Sequence, residues 1–145
     1  GVLGSILGLK SVRDEEKAIR ARAMELLDYV GVGKYHDYVA KNLSYGHQRR
    51  LEIARALATE PKLLALDEPA AGMNATEKVE LTQLLRKISN DGVTILIIEH
   101  DVKLVMGLCD EMTVLDYGKI LAQGLPENVR KDPKVIEAYL GGHHA

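Results

Sequence analysis

The chain has 145 residues, 46% of them hydrophobic and 28% charged, with no Trp, no Phe, six Tyr and a net charge of -2. These values fit one soluble globular unit with an aliphatic core, and they exclude a disordered chain. A single cysteine, Cys109, rules out an internal disulfide and fits a reducing compartment. No apolar run approaches the ~20 residues of a membrane-spanning helix. Residues 1–62 carry 11 basic and 8 acidic groups and residues 63–145 carry 8 and 13, which is too weak a positive field for a nucleic-acid partner.

The chain begins at Gly1, without Met and without a strand, as though cut from a longer protein, and its apolar start lacks the basic flank of a signal peptide. Residues 14–30 are predicted as an amphipathic helix with Ile19, Ala23, Leu26, Leu27 and Val30 on its inner face, ended by Gly31 and Gly33. A polar stretch leads to a second helix from Ser44 or Gly46, with Leu51, Ala54, Leu57 and Ala58 inward and Pro61 closing it. Residues 62–67 form a short apolar run, predicted as a strand buried on both faces. Asn74 and Glu77 have capping-box spacing ahead of a helix whose stripe is Leu81, Leu84, Leu85 and Ile88. Residues 93–98 are the clearest strand. A helix over 102–109 and a hairpin of 112–116 and 119–122 around Tyr117-Gly118 follow. Pro126 and Pro133 mark two further helix starts.

Three constellations carry chemistry. The 63–67 strand delivers two carboxylates, Asp67 and Glu68, at its C-terminal end, where open α/β sheets bind ligands; one can hold Mg²⁺ and the other can take a proton from water. Ser44, Tyr45, Gly46 and His47 open a helix whose free N–H groups and positive end suit an anion. Glu99, His100 and Asp101 follow the 93–98 strand. If the two strands are neighbours, His100 and Glu68 leave the same sheet edge. Singly, each has an ordinary explanation: an acidic turn, a Ser cap, a surface histidine.

Together, in this order, they resemble the C-terminal portion of an ATP-binding cassette (ABC) transporter ATPase of the branched-chain amino acid importer type. The matching stretches are Ser44-Tyr-Gly-His-Gln-Arg-Arg, Asp67-Glu-Pro-Ala-Ala-Gly-Met-Asn74, Ile97-Ile-Glu-His-Asp101 and Glu137-Ala-Tyr-Leu-Gly141. The resemblance implies an α/β, partial P-loop NTPase fold, mostly parallel, with residues 1–60 as part of the helical subdomain, 61–141 as part of the ATPase core and 142–145 as a tail. It implies ATP and Mg²⁺ as cofactors. Ser44, Tyr45, Gly46 and His47 would lie in the signature loop against ATP of a second ATPase subunit, homo- or heterodimeric. Asp67 would be the Mg²⁺ residue, Glu68 the general base, Asn74 part of the loop crossing the dimer seam, and His100 the switch histidine. Transmembrane permease subunits would be partners at the cytoplasmic face of the inner membrane, where the chain would be peripheral. His47 and Asn74 depart from the usual Gln and Asp.

A phosphate loop, Gly-x4-Gly-Lys-Ser/Thr, is missing. Residues 4–11 approach it, but Leu9 occupies the second Gly position; Gly33-Lys34 is further away. The chain alone is therefore expected to be inactive, and to expose apolar surface that favours self-association or a rearranged edge. Two rival readings are a non-catalytic interaction module and the head of a DNA-repair or chromosome-organising ATPase, which lacks support because no heptad coiled coil is present. Cys109 is read as a core residue, Arg49 and Arg50 as a solvated helix face, and His143-His144 as a tail.

Overall fold

The computed structural model describes residues 2–140, which divide into two compact units at the Leu64/Ala65 boundary. Gly1, Gly141 and the His143-His144 tail lie outside the described residues.

The first unit is helical. Helix α1 spans Val2–Tyr29, so it begins well before the expected residue 14. It takes in residues 4–11, whose helical backbone is unlike the strand-to-helix loop that cradles a phosphate. Among the described side chains of α1, burial is confined to its end. Leu26 is buried, whereas Ala23 is exposed and Ile19 is 62% exposed, against the expected inner face. Residues 8–23 of α1 are exposed throughout and have no core to wrap, so the buried stripe is shorter than periodicity alone predicts. Gly31, at φ +82°, ends the helix in the left-handed conformation. At Gly33 a Cβ would stand 1.7 Å from Asp28 Oδ1, so any larger residue there requires the Asp28 carboxylate to move aside.

Two 3-10 turns, Gly33–Tyr35 and Ala40–Asn42, lead to helix α2, Tyr45–Leu57. Ile53, Ala54 and Leu57 are buried on α2, Leu51 is half-buried and Ala58 is exposed. Arg50 Nη1 donates to the Val30 carbonyl at 3.0 Å, tying α2 to the end of α1. Arg49 donates to the Tyr45 hydroxyl at 2.7 Å and to Glu52 at 2.9 Å. The arginine pair is thus bound within the unit and is not simply a solvated face.

The second unit is α/β, and its first strand begins two residues before the boundary. Strand β1 (Leu63–Asp67), helix α3 (Ala75–Asn90) and strand β2 (Thr94–Ile98) form a strand–helix–strand crossover, with β1 and β2 adjacent. The Glu68 N–H donates to the Ile98 carbonyl at 2.8 Å, which sets the C-terminal ends of the strands side by side and makes the pair parallel. Helix α3 buries Leu81, Leu84, Leu85 and Ile88, each 6% exposed or less. Each such residue contributes ~1.5–3 kcal/mol on burial. The sheet is half covered: Leu63, Leu96 and Ile98 are more than half exposed. The expectation of a strand buried on both faces is therefore corrected; an apolar run shows that a strand suits two-sided cover, not that both covers are present.

Helix α4 (Val102–Leu108), strands β3 (Met112–Asp116) and β4 (Lys119–Gly124), and the short helices α5 (Pro126–Val129) and α6 (Pro133–Val135) complete the unit. The β3–β4 hairpin pairs Asp116 with Lys119 and Met112 with Gly124, with an irregularity after Val114 that leaves Leu121 unpaired. Tyr117 and Gly118 turn it at φ +45° and +75°, the left-handed pair that matches strand twist. Met112, Val114, Val129 and Val135 form its core, with Val105, Met106, Leu121 and Ala122 against it. Cys109 follows α4 half-buried, and burial pushes its thiol pKa up, with Asp110 adding to the effect. No described helix is long and apolar enough to cross a membrane.

Candidate functional site

Parallel pairing places the residues that follow β1 and β2 on one rim. Asp67 ends β1 exposed, and Glu68 follows at φ +43°, a left-handed backbone that costs a non-glycine residue ~1–2 kcal/mol. Its N–H is held by Ile98 and its carbonyl accepts from Ala71, so the turn is fixed at both ends. The Glu68 carboxylate is thereby aimed at the start of the segment after β2. His100 Nδ1 lies 3.3 Å from Glu68 Oε1. The side chains of His100 and Glu68 are 71% and 53% exposed, so both face solvent. With Nδ1 facing the carboxylate, Nε2 is the ring nitrogen left for a further partner.

Between them lies Glu99, whose side chain is only 1% exposed. Its Oε1 accepts the Ala70 N–H at 2.9 Å and its Oε2 the His100 N–H at 3.2 Å. The alternation of β2 could have revealed it: Ile95 and Ile97 point inward, and Glu99 continues that parity. Lys78 on α3 reaches Asp101 at 2.6 Å, while Asp101 also caps α4 by accepting from Leu104. The hydrogen bond from Lys78 holds the Asp101 carboxyl below its ordinary pKa and the Lys78 ammonium above its own. Residues 70–73 with Lys78, Glu99, His100 and Asp101 line an open cleft of about 160 Å³.

Asn74 sits at the far end of the loop after β1. Its Oδ1 accepts from the Glu77 N–H at 2.9 Å, and Glu77 Oε2 accepts from the Asn74 N–H at 3.0 Å, a complete capping box on α3. No three His, Cys, Asp or Glu side chains gather as a metal site among the described residues. Asp67 supplies one exposed carboxylate, which fits Mg²⁺ in the mode where one protein oxygen is joined by substrate phosphates and water.

The other set of expected residues lies in the first unit. Ser44 caps α2, its Oγ accepting the His47 N–H at 3.3 Å. Ser44 and Tyr45 are exposed, Gly46 is buried and His47 is half-buried. The His47 ring packs on Tyr35, 4.6 Å between centroids, so this side chain lies against its own unit. Gln48 is also committed locally, donating to the Leu43 carbonyl at 3.0 Å.

Comparison with known proteins bears on the fold and the family. The crystal structure of the ADP conformation of MJ1267, an ATP-binding cassette of an ABC transporter, superposes with a TM-score of 0.77 and 34% identity over 83% of this chain and 49% of that one. Clostridium perfringens cbiO1, part of the ABC transporter complex cbiONQ, gives 0.75 and 36% over 84% and 49%. The class is therefore the α/β ATPase-cassette fold, over the part this chain spans. The ABC transporter family matches residues 5–71, and the branched-chain amino acid ATP-binding cassette transporter family matches residues 119–145. The Escherichia coli K12 high-affinity branched-chain amino acid transport ATP-binding protein LivG is 46% identical over 97% of this chain and 56% of its own length. The Pseudomonas aeruginosa protein BraF, of the same description, is 44% identical over 96% and 55%. The chain carries both family matches and is similar over nearly its whole length to ATP-binding proteins of branched-chain amino acid transport. It spans about half the length of the curated relatives it matches.

Proposed function

We propose that the chain is part of the ATP-hydrolysing subunit of an importer of branched-chain amino acids, acting at the cytoplasmic face of a membrane with permease subunits and a second ATPase subunit. The observation that carries the hydrolytic reading is the Glu68–His100 pair at 3.3 Å on the rim of the parallel strands. Similarity to LivG and BraF supports the substrate class.

In this reading Glu68 accepts a proton from the water that attacks the γ-phosphorus of ATP. The new P–O bond forms as the bond to the β-phosphate oxygen breaks and ADP leaves. His100, set against Glu68 at Nδ1, donates a hydrogen bond to the γ-phosphate from Nε2 when that nitrogen is protonated. Asp67 would hold Mg²⁺, which would neutralise charge on the phosphates. Ser44, Tyr45 and Gly46 supply the helix start that meets ATP held by the second subunit. His47 contributes through the stack that positions this start, and Asn74 through the cap that shapes the loop after β1.

A lone helix end is worth ~0.3–1 kcal/mol toward an anion, whereas micromolar binding needs about 8 kcal/mol. The 145-residue chain alone is therefore expected to give no micromolar heat signal with Mg-ATP in calorimetry. In the complete subunit with its partners, Glu68→Gln is expected to lower ATP turnover by about 10²–10⁴-fold with nucleotide binding retained. Turnover of that variant within a few-fold of the unmodified protein would overturn the hydrolytic assignment.

A further inference from the structure

The rim has two arms that come from different points in the chain. One is the turn that follows β1, which carries Glu68. The other is the segment after β2, which carries His100. The two backbones meet through the Glu68 N–H at the Ile98 carbonyl, and beyond that point side chains link the two arms. Side-chain geometry at the rim then depends on what holds these segments.

We propose that Glu99 is a positioning residue that sets the Glu68–His100 pair, a proposal that rests on reading that pair as hydrolytic. Its carboxylate is almost fully enclosed and lies between the arms. Oε1 takes the Ala70 N–H, two residues past Glu68, at 2.9 Å. Oε2 takes the His100 N–H at 3.2 Å, with the Asp101 N–H at 3.5 Å. An ionised carboxylate has two acceptor oxygens and no donor, so it can serve N–H groups on both sides of a gap at once. No neutral side chain of this size does so. Glutamine offers one acceptor and turns an NH2 toward the other arm. Glu99 also lies on the same short segment as His100, whose Nδ1 is 3.9 Å from Oε2, so a shift of the carboxylate moves the ring. The exposure contrast separates the roles: Glu68 and His100 open to solvent where a substrate arrives, while Glu99 is sealed behind them.

The test uses the intact 145-residue chain without nucleotide, so it is independent of whether the assembled protein hydrolyses ATP. In the unmodified chain, NMR should show a scalar coupling from the Ala70 amide nitrogen to the Glu99 carboxylate carbon. In Glu99→Gln, amide exchange should accelerate at least about fivefold on one arm, at Ala70 or at His100, with the amides of α3 unchanged. The imidazole ¹⁵N resonances of His100 should shift at constant pH, a signature that loss of packing alone would leave in place. Absence of the coupling overturns the proposal. So does a Gln variant with faster exchange but unmoved His100 ring signals, which would make Glu99 structural only. If the Gln variant does not fold, the coupling in the unmodified chain decides. If the bracing holds and Glu68→Gln still hydrolyses ATP in the complete protein, the hydrolytic reading fails and the brace stands.

Discussion

Helices α2 and α3 both open on a side-chain cap, yet one start is open and the other is closed. On α3, Asn74 and Glu77 satisfy each other's backbone N–H groups, and the Glu77 carboxylate neutralises the positive end. On α2, the neutral Ser44 makes one long hydrogen bond to His47, and no acid stands in the first turn. Helix α4 follows the α3 pattern, with the carboxylate of Asp101 as its cap. Only α2, among these three, keeps an uncompensated positive end. The lesson is that a polar cap does not reveal a helix's job; what matters is whether the cap leaves donors and field available to a visiting anion.

The largest effect should come from closing the open start. Tyr45→Asp places a carboxylate in the first turn of α2. In the complete, partnered protein it should lower ATP turnover at least about tenfold through repulsion of the phosphates. In the 145-residue chain it should raise stability by ~0.3–1 kcal/mol. Denaturant melts and steady-state turnover check the two halves. A gain in stability with turnover untouched would mean that the α2 start is not where phosphate arrives.

Opening the closed start should act in the opposite sense. Asn74→Ala removes the capping box and should cost about 1 kcal/mol, within the ~0.5–2 kcal/mol range of such caps. Ser44→Ala should sit at the low end of that range, because its single bond is 3.3 Å long. Equal losses in paired urea melts would erase the distinction drawn between the two starts.

How far the sequence revealed this arrangement differs between the two regions. Acids after an apolar run, and a histidine after the next, are written in residue order, and parallel pairing turns that order into proximity. The capping box and the Tyr117-Gly118 turn are also local, so their residues suffice. What was not legible depended on neighbours. Burial of β1 depends on how much covers each face, and Leu63 cannot report that. Arg50 bonds the carbonyl of Val30, twenty residues earlier, which no spacing rule contains. The full length of α1 is not legible because its apolar and charged residues follow no single face, whereas the burial of Glu99 is legible from strand parity.

The left-handed backbone at Glu68 offers a smaller test on the rim. Asparagine accepts that conformation more readily than glutamate. Glu68→Asn should therefore raise the stability of the chain by up to about 1 kcal/mol while removing the proposed base. Lower stability in thermal melts would mean that the Glu68 side chain stabilises the fold through His100 by more than its backbone costs.

The smallest expected effect lies at the third cap, on α4. The Lys78 hydrogen bond keeps the folded Asp101 carboxyl below its ordinary pKa, with burial opposing it and the Leu104 N–H assisting. A depressed folded pKa contributes stability that is fully present above the unfolded value of about 3.9 and is lost as pH falls through the folded value. Both partners are partly open to solvent, so the contribution should be small. Urea midpoints for the 145-residue chain should fall on acidification below about pH 4, and Asp101→Asn should flatten part of that fall while preserving a cap on α4. The matching change at Ser44, which carries no charge, should leave the slope alone. An unchanged acid slope in the Asp101 variant would show that charge at this helix start contributes nothing, and would leave hydrogen bonding as the only difference between the closed starts and the open one.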